Sequence, residues 1–546
     1  MKKTRNKWNP GSWLTLAVTL CLSLWFSSYQ AIAAPEGEEE TADLYLKSAT
    51  YYANDWVINF WNLEEDFLEE DMRQIASDGF NSIILAVPWR EFQVDMENRR
   101  YNQYALDKLH RVMDAAGEEG LLVILRVGYT WDRAGTENVL ERYRDLLYEE
   151  EVREAWIDYV ERIYEESSVH PNFYGGFLTW EDFWNFTQTA GELGDTSYSR
   201  RLAEDIGYTN YVKETVSLEE AGRQYGKHFK DWNQIYLPER EREAYGLFLN
   251  FYDSFLNQLL AESQTVFPDL SMEVRADVDS INGRDGQLMG ASHVGTFGCQ
   301  DSSYTSLMYA VSMGMQSGND HMTAAQVLPQ TAASLDWVRL HNGGKPLYID
   351  QLLFTDNTPG FEENPRLDES EIPGYLTGLP PVLKGRTLGY GVWTYRDYGN
   401  NMIYNCQFAL GDAGWNTSGQ TRVEERDGSR QMKLENYGRI SQKVSTAGSA
   451  VKGNKVTVCF QADSPSGSNL TISLGKASRT VKVEGKQQLN LELSGAGLSE
   501  FSISADRTVY IDNIKVYTQV TEGKLYDING NPDSCLEAVR VLNASL

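Results

Sequence analysis

The sequence predicts an α/β protein, a (β/α)₈ TIM barrel followed by an antiparallel β-sandwich of the jelly-roll kind. Three observations predict it. Between Trp56 and Tyr395, eight short apolar runs alternate with longer amphipathic stretches, the rhythm of strands feeding helices. No Gly-rich phosphate turn follows any of these runs, which turns the choice away from an open doubly wound sheet. From about Ile403 the apolar residues change to period two, in Val456, Val458 and Phe460, then Leu470, Ile472 and Leu474, then Val509 and Ile511, as in a sandwich of half-buried strands.

Taken in order, Met1 to Lys7 carry Lys2, Lys3, Arg5 and Lys7, and an apolar run from about Trp13 to Phe26 precedes Ala31-Ile-Ala33. This is the layout of a signal peptide over residues 1–33, with an apolar run shorter than a spanning helix prefers. The expected product is secreted or held at the cell surface, with no membrane contact beyond that segment. Residues 34–50 read as an acidic linker. In the barrel domain, 51–402, the strands expected are Trp56–Trp61, Ser82–Val87, Gly120–Arg126, Tyr174–Thr179, Ser271–Val278, His293–Phe297, Pro346–Leu352 and Gly389–Tyr395. Leu63, Phe67, Met72 and Ile75, and later Leu106, Leu109, Val112 and Met113, fall at helical spacing between them. A mostly helical insertion fills the stretch between Asp182 and Pro268. The sandwich spans 403–518, and 519–546 read as a C-terminal tail.

Composition narrows the function. Of 546 residues, 49 are Lys or Arg and 78 are Asp or Glu, a formal net charge of −29. Loss of residues 1–33 removes four cations and no acid, taking −29 to −33. A nucleic-acid partner is excluded, because phosphate binding needs clustered cations. The 14 Trp, 31 Tyr and 20 Phe supply more flat faces than a core needs, and sugar rings suit such faces. Cys299, Cys406, Cys459 and Cys535 lie far apart, without zinc spacing. They form one or two disulfides or stay as buried thiols.

Barrel enzymes carry their chemistry just past the strand ends. Strand four ends in Thr179-Trp180-Glu181-Asp182-Phe-Trp184. A carboxyl between indoles is pushed toward the value a general acid needs, although an acid at a helix start also serves as a cap. Strand seven ends in Ile349-Asp350-Gln351-Leu-Leu, where an acid within an apolar run is either a catalytic carboxylate or a buried, satisfied one. Strand three ends in Arg126-Val-Gly-Tyr129-Thr-Trp131, and strand eight in Trp393-Thr-Tyr395. Arg126 either holds a carboxylate ionised or ties strands together. Strand five adds Arg275, Asp277 and Asp279.

At these residues a resemblance appears. Residues from about Trp56 to Tyr404 resemble clan A glycoside hydrolases, including the segment Asp71 to Leu85, the loop Val87-Pro-Trp-Arg-Glu-Phe92, and Ser217-Leu-Glu-Glu-Ala with Lys227-His-Phe-Lys-Asp-Trp232 in the insertion. The resemblance implies a general acid/base at Glu181. It departs at two places: Trp180 stands where the clan has Asn, and Gln351 stands where the clan has its nucleophile Glu. Either Asp350, one residue earlier, takes over that task, or the mechanism is not the usual retaining one, or the barrel binds sugar without cleaving it. Tyr404-Asn405-Cys-Gln-Phe408 and Val509-Tyr-Ile-Asp512-Asn513 resemble carbohydrate-binding modules of the galactose-binding-like type. That resemblance implies a glycan contact and makes Asp512 a candidate ligand of a structural calcium.

The expectation is an exported glycoside hydrolase using Glu181 and Asp350, with no catalytic cofactor and a carbohydrate as its partner. Substrate contacts are expected from Trp61, Trp89, Arg126, Tyr129, Trp131, Trp180, Trp184, Arg275, Gln351, Trp393 and Tyr395. The alternative is a glycan-binding protein that does not cleave, serving exopolysaccharide assembly, and Gln351 is the residue that favours it.

Overall fold

The computed structural model describes residues 44–546 apart from 54, 56, 65–66, 129–138, 180–185, 188, 276–279, 283–287, 291–293, 312–320, 356–365, 446–454 and 496. Eight parallel strands close into a barrel: β1 (Leu46–Thr50), β2 (Ser82–Val87), β3 (Leu122–Val127), β4 (Phe173–Leu178), β5 (Ser271–Arg275), β6 (Thr305–Ala310), β7 (Leu347–Leu353) and β8 (Thr387–Val392). β1 pairs with both β2 and β8, which completes the ring. All six residues of β2 and of β6 are buried, as strands covered on both faces must be.

Two strands differ from expectation. Within the expected Trp56–Trp61 strand, Trp56 lies outside the described residues and Val57–Phe60 is a one-turn helix; β1 starts ten residues before Trp56. A short apolar run fits either state, and here the following Trp61 decides the packing. Its indole N–H donates to the Ala86 carbonyl (2.9 Å), and its ring packs against Phe60 and Phe92. The sixth strand is Thr305–Ala310, whereas Val294–Thr296 forms a 3₁₀ turn. His293 lies outside the described residues.

The lumen is plugged at its lower end by Leu46, Ile84, Ile124, Phe177, Tyr304 and Tyr348. Tyr348 donates to Ser48 Oγ (2.7 Å) and Tyr304 to the Gly176 carbonyl (2.9 Å), so the plug hides no unpaired phenol. Outside, α1 (Leu68–Ser77), α2 (Gln103–Glu118), α3 (Glu150–Ser168), α4 (Tyr245–Gln264), α5 (Ala324–His341) and α6 (Ile372–Gly378) cover the strands. The insertion between β4 and α4 is helical, as expected, with helices at Ser197–Asp205, Tyr208–Thr215 and Leu218–Tyr225. Among the described residues no helix is long and apolar enough to cross a membrane.

The C-terminal domain is antiparallel, with β9 (Asn416–Arg426), β10 (Ser429–Ser445), β11 (Lys455–Leu474), β12 (Ala477–Ser494), β13 (Leu498–Ala505) and β14 (Val509–Tyr517). The long strands serve two layers. β10 pairs with β14 through Met432–Leu434 and with β13 through Arg439–Ser445. Between these stretches Asn436 and Tyr437 take positive φ (45° and 67°), bending the strand from one layer to the other. Met432, Ile440, Val458, Phe460, Ile472 and Ile511 fill the core between the layers.

Residues 519–546 are not a tail. After the sandwich the chain returns to the barrel, where Leu525, Tyr526, Leu536, Val539 and Leu542 join the barrel's own core. Helix α7 (Leu536–Ser545) packs against α6 and ties to β8 through Tyr390, whose hydroxyl donates to Asn543 Oδ1 (2.5 Å). It occupies the place of the barrel's eighth helix. Asp78, just past α1, accepts from Arg540 (2.8 and 2.9 Å), Tyr395 (2.7 Å) and Tyr526 (2.9 Å). The sandwich is therefore inserted between β8 and the helix that follows it. The two ends of the insertion are adjacent, because Tyr398–Gly399 pairs antiparallel with Val520–Thr521.

Candidate functional site

Above the apolar plug, the lumen holds charge. Alternation along β3 turns Ile124 and Arg126 inward: Ile124 belongs to the plug and Arg126, 1% exposed, lies one layer higher. On β5 the same alternation presents Glu273 and Arg275. Arg126 Nη2 lies 2.8 Å from Glu273 Oε2, with both side chains sealed from solvent, and Arg126 Nε donates to Thr179 Oγ1 (3.1 Å), just past β4.

β7 supplies the other half. Along its border with β6, Ile349 pairs with Leu307 and Gln351 with Met308, so Asp350 is the extra residue of a bulge. A bulge places two successive residues opposite one, which brings Asp350 and Gln351 into the lumen together. With its amide oxygen toward Arg126, Gln351 accepts from Nη1 (2.7 Å) and Nη2 (3.1 Å). Asp350 is fully buried. Burial first, then the neighbouring Glu273 charge, push its carboxyl well above the usual aspartate value, against Arg126, the Ser306 hydroxyl and Arg275. Trp393, past β8 and half-buried, stands 5.7 Å from the Arg126 guanidinium and packs on Tyr52 (5.5 Å).

A barrel interior is ordinarily filled with branched apolar side chains, and buried ion pairs rarely add net stability. The layer of Arg126, Glu273, Arg275 and Asp350 is thus a costly feature of the lumen. Replacing Arg126 by Met is expected to lower stability by about 3–5 kcal/mol, because Glu273 is left buried and uncompensated. Urea unfolding monitored by tryptophan fluorescence would measure it, and a loss below about 1 kcal/mol would contradict the pairing.

The structure brings together Arg126, Arg275, Asp350, Gln351 and Trp393. Tyr129, Trp131, Trp180, Glu181, Trp184, Asp277 and Asp279 lie outside the described residues. Three expected contacts are corrected. Trp61 and Trp89 are core residues whose faces are covered by protein, and the Trp89 indole donates to Gln93 (2.9 Å) with its ring against Trp156. Tyr395 points outward to Asp78 and belongs to the α7 anchor. Glu273 was missed, although Ser271-Met-Glu-Val-Arg275 carries the signal: it shares strand parity with Arg275.

Asp512 lies on β14, 9% exposed. Its two oxygens accept from Ser429 Oγ (3.0 Å) and the Asn513 amide (2.7 Å), a strand-turn role. Among the described residues no three acidic, His or Cys side chains converge into one cluster. Cys299, Cys406, Cys459 and Cys535 are free thiols, the first two and the last of them buried.

No protein-family model matches the sequence, and no curated protein matches it. Among solved structures the chain is similar to a GH5_18 variant from Streptomyces cattleya in complex with Manβ1-4GlcNAc, at 14% identity and a TM-score of 0.42, over 65% of this chain and 71% of that one. It is similar to the exo-β-1,4-mannosidase Op5Man5 from Opitutaceae bacterium strain TAV5, at 14% identity and a TM-score of 0.39, over 65% of this chain and 53% of that one. A third similarity, over 22% of this chain, is to TmCBM61 in complex with β-1,4-galactotriose, at 16% identity and a TM-score of 0.19, covering 99% of that chain. These are likenesses of fold, and the barrel and the antiparallel domain rest on the strand pairing itself.

Proposed function

We propose that the chain is a glycoside hydrolase whose active site is the upper lumen of the barrel. The observation that carries this reading is the layer of buried Arg126, Glu273 and Asp350 with half-buried Arg275 in the upper lumen. Asp350 is the second carboxylate of a two-carboxylate mechanism, and Glu181, just past β4, is the general acid. Asp350 acts as nucleophile or as the base that activates a water, and the separation of its carboxyl from that of Glu181 decides between retention and inversion. The 1–33 segment exports the protein, so that it meets its glycan outside the cytoplasm.

The test is release of reducing sugar from a panel of polysaccharides and aryl glycosides by the purified protein. Glu181→Gln is expected to abolish release while leaving glycan binding measurable, and retained release would remove Glu181 from the mechanism. A second reading, glycan binding without cleavage, is favoured by Gln351, because an amide at that place on β7 forms no glycosyl ester. It gains if the wild-type chain binds a glycan of the panel and releases nothing.

A further inference from the structure

We propose that the sandwich is a positioning part of the barrel's site, holding the rim segment 51–64 through a buried Asp55–Lys515 pair; this rests on the upper lumen being the active site. The rim segment follows β1 and seats Tyr52 on Trp393, which in turn stands over Arg126. Its position therefore sets one wall of the lumen beside the charged layer.

The segment is held from two sides. From the barrel, α2 reaches the Leu63 carbonyl with Tyr104 (2.6 Å) and Lys108 (3.1 Å). From the sandwich, Lys515 on β14 places Nζ 3.4 Å from Asp55 Oδ2, and Asp55 is 1% exposed. Asn62 accepts from the Asn405 amide (2.8 Å), and Gln407 accepts from the Glu64 amide (2.8 Å). These contacts read backbone as well as side chain, so they fix the path of the rim rather than one residue's rotamer. A flexibly tethered binding module needs none of them; domains joined by a free linker share few buried polar contacts.

The consequence is a coupling between the sandwich and the lumen that does not pass through any catalytic group. The experiment is hydrogen exchange by mass spectrometry on the full chain, for wild type, Lys515→Met, Lys515→Arg and Gln407→Ala. Segment 51–64 is expected to exchange faster in Lys515→Met and Gln407→Ala, and at the wild-type rate in Lys515→Arg, with β3 and β5 unchanged in all. On the aryl glycoside that wild type cleaves fastest, Lys515→Met is expected to raise KM by roughly fivefold or more and leave kcat within about twofold. Unchanged exchange in 51–64, or a fall in kcat with KM unmoved, overturns the proposal. If Lys515→Met does not fold, Gln407→Ala decides on the same two readouts. If wild type cleaves no glycoside, the hydrolase reading has failed, and the exchange result alone decides this proposal.

Discussion

A chain ended after Thr521 is expected to form no folded barrel, whereas a chain from which residues 403–517 are excised is expected to fold. The first half follows from α7. Leu525, Leu536, Val539 and Leu542 are buried in the barrel core, and at about 1.5–3 kcal/mol for each fully buried side chain their loss comes to roughly 6–12 kcal/mol. That is comparable with the whole net stability of a typical domain, about 5–15 kcal/mol. Truncation also strips Arg540 and Tyr526 from Asp78, which is sealed from solvent and keeps Tyr395 as a neutral partner. The second half follows from the adjacency of the insertion's ends. Gly399 pairs with Val520, and the Asn400 side chain accepts from the amides of Thr518 and Gln519 (2.9 and 3.1 Å). A short hairpin loop can therefore replace the sandwich. Near-UV circular dichroism and thermal unfolding separate the outcomes. A truncated chain melting cooperatively at the wild-type temperature would show that α7 is dispensable.

The elements that were legible are those whose local pattern carries the whole of their environment. Ser82-Ile-Ile-Leu-Ala-Val87 announces a strand buried on both faces, and it is one. β1 was not legible, because Leu46-Lys-Ser-Ala-Thr50 carries two hydroxyls and a lysine whose partners lie far along the chain. Ser48 meets Ser82 (2.6 Å) and Tyr348 (2.7 Å), and Lys47 reaches the Asn543 carbonyl (3.0 Å). β6 hides for the same reason: the Thr305 hydroxyl turns outward to the Phe297 carbonyl (2.9 Å), and Ser306 turns inward beside Asp350. The barrel role of 519–546 was least legible, since a ten-residue helix beyond a whole domain gives no local sign that it closes the first.

The site divides likewise. The rule that chemistry follows strand ends pointed to Arg126, Asp350, Gln351 and Trp393, and the structure brings these four together around the lumen. It misplaced Trp61, Trp89 and Tyr395, since aromatic residues near strand ends serve the core as readily as a ligand. It passed over Glu273, which lies inside β5 rather than at its end, and whose importance appears only when β3 brings Arg126 beside it.

Asp350→Asn is expected to abolish turnover by roughly 10²- to 10⁴-fold, the usual worth of a general acid or base, without lowering stability near neutral pH. The two effects have one cause. The Asp350 carboxyl is raised from 3.8 by burial and by Glu273, so the native chain holds that proton more tightly than the unfolded chain does. Stability then falls as pH rises from about the ordinary carboxylate value up to the raised one, because over that window the native state binds more protons than the unfolded state. Asparagine keeps the shape, carries no charge and removes this decline. Melting temperatures of wild type and variant, followed from about pH 4 to about pH 8, are expected to diverge in the variant's favour as pH increases. Gln351→Ala is the contrast: it deletes acceptor bonds to Arg126 (2.7 and 3.1 Å) and is expected to lose about 1–3 kcal/mol of stability, since a buried charged donor is left short of a partner. A residue that is costly to the fold at working pH and whose neutral isostere kills activity is retained for its chemistry. If Asp350→Asn keeps wild-type turnover, Asp350 is a structural member of the layer and the base must be sought in Glu273. If neither variant changes turnover because wild type has none, Gln351 marks a barrel that binds sugar without cutting it.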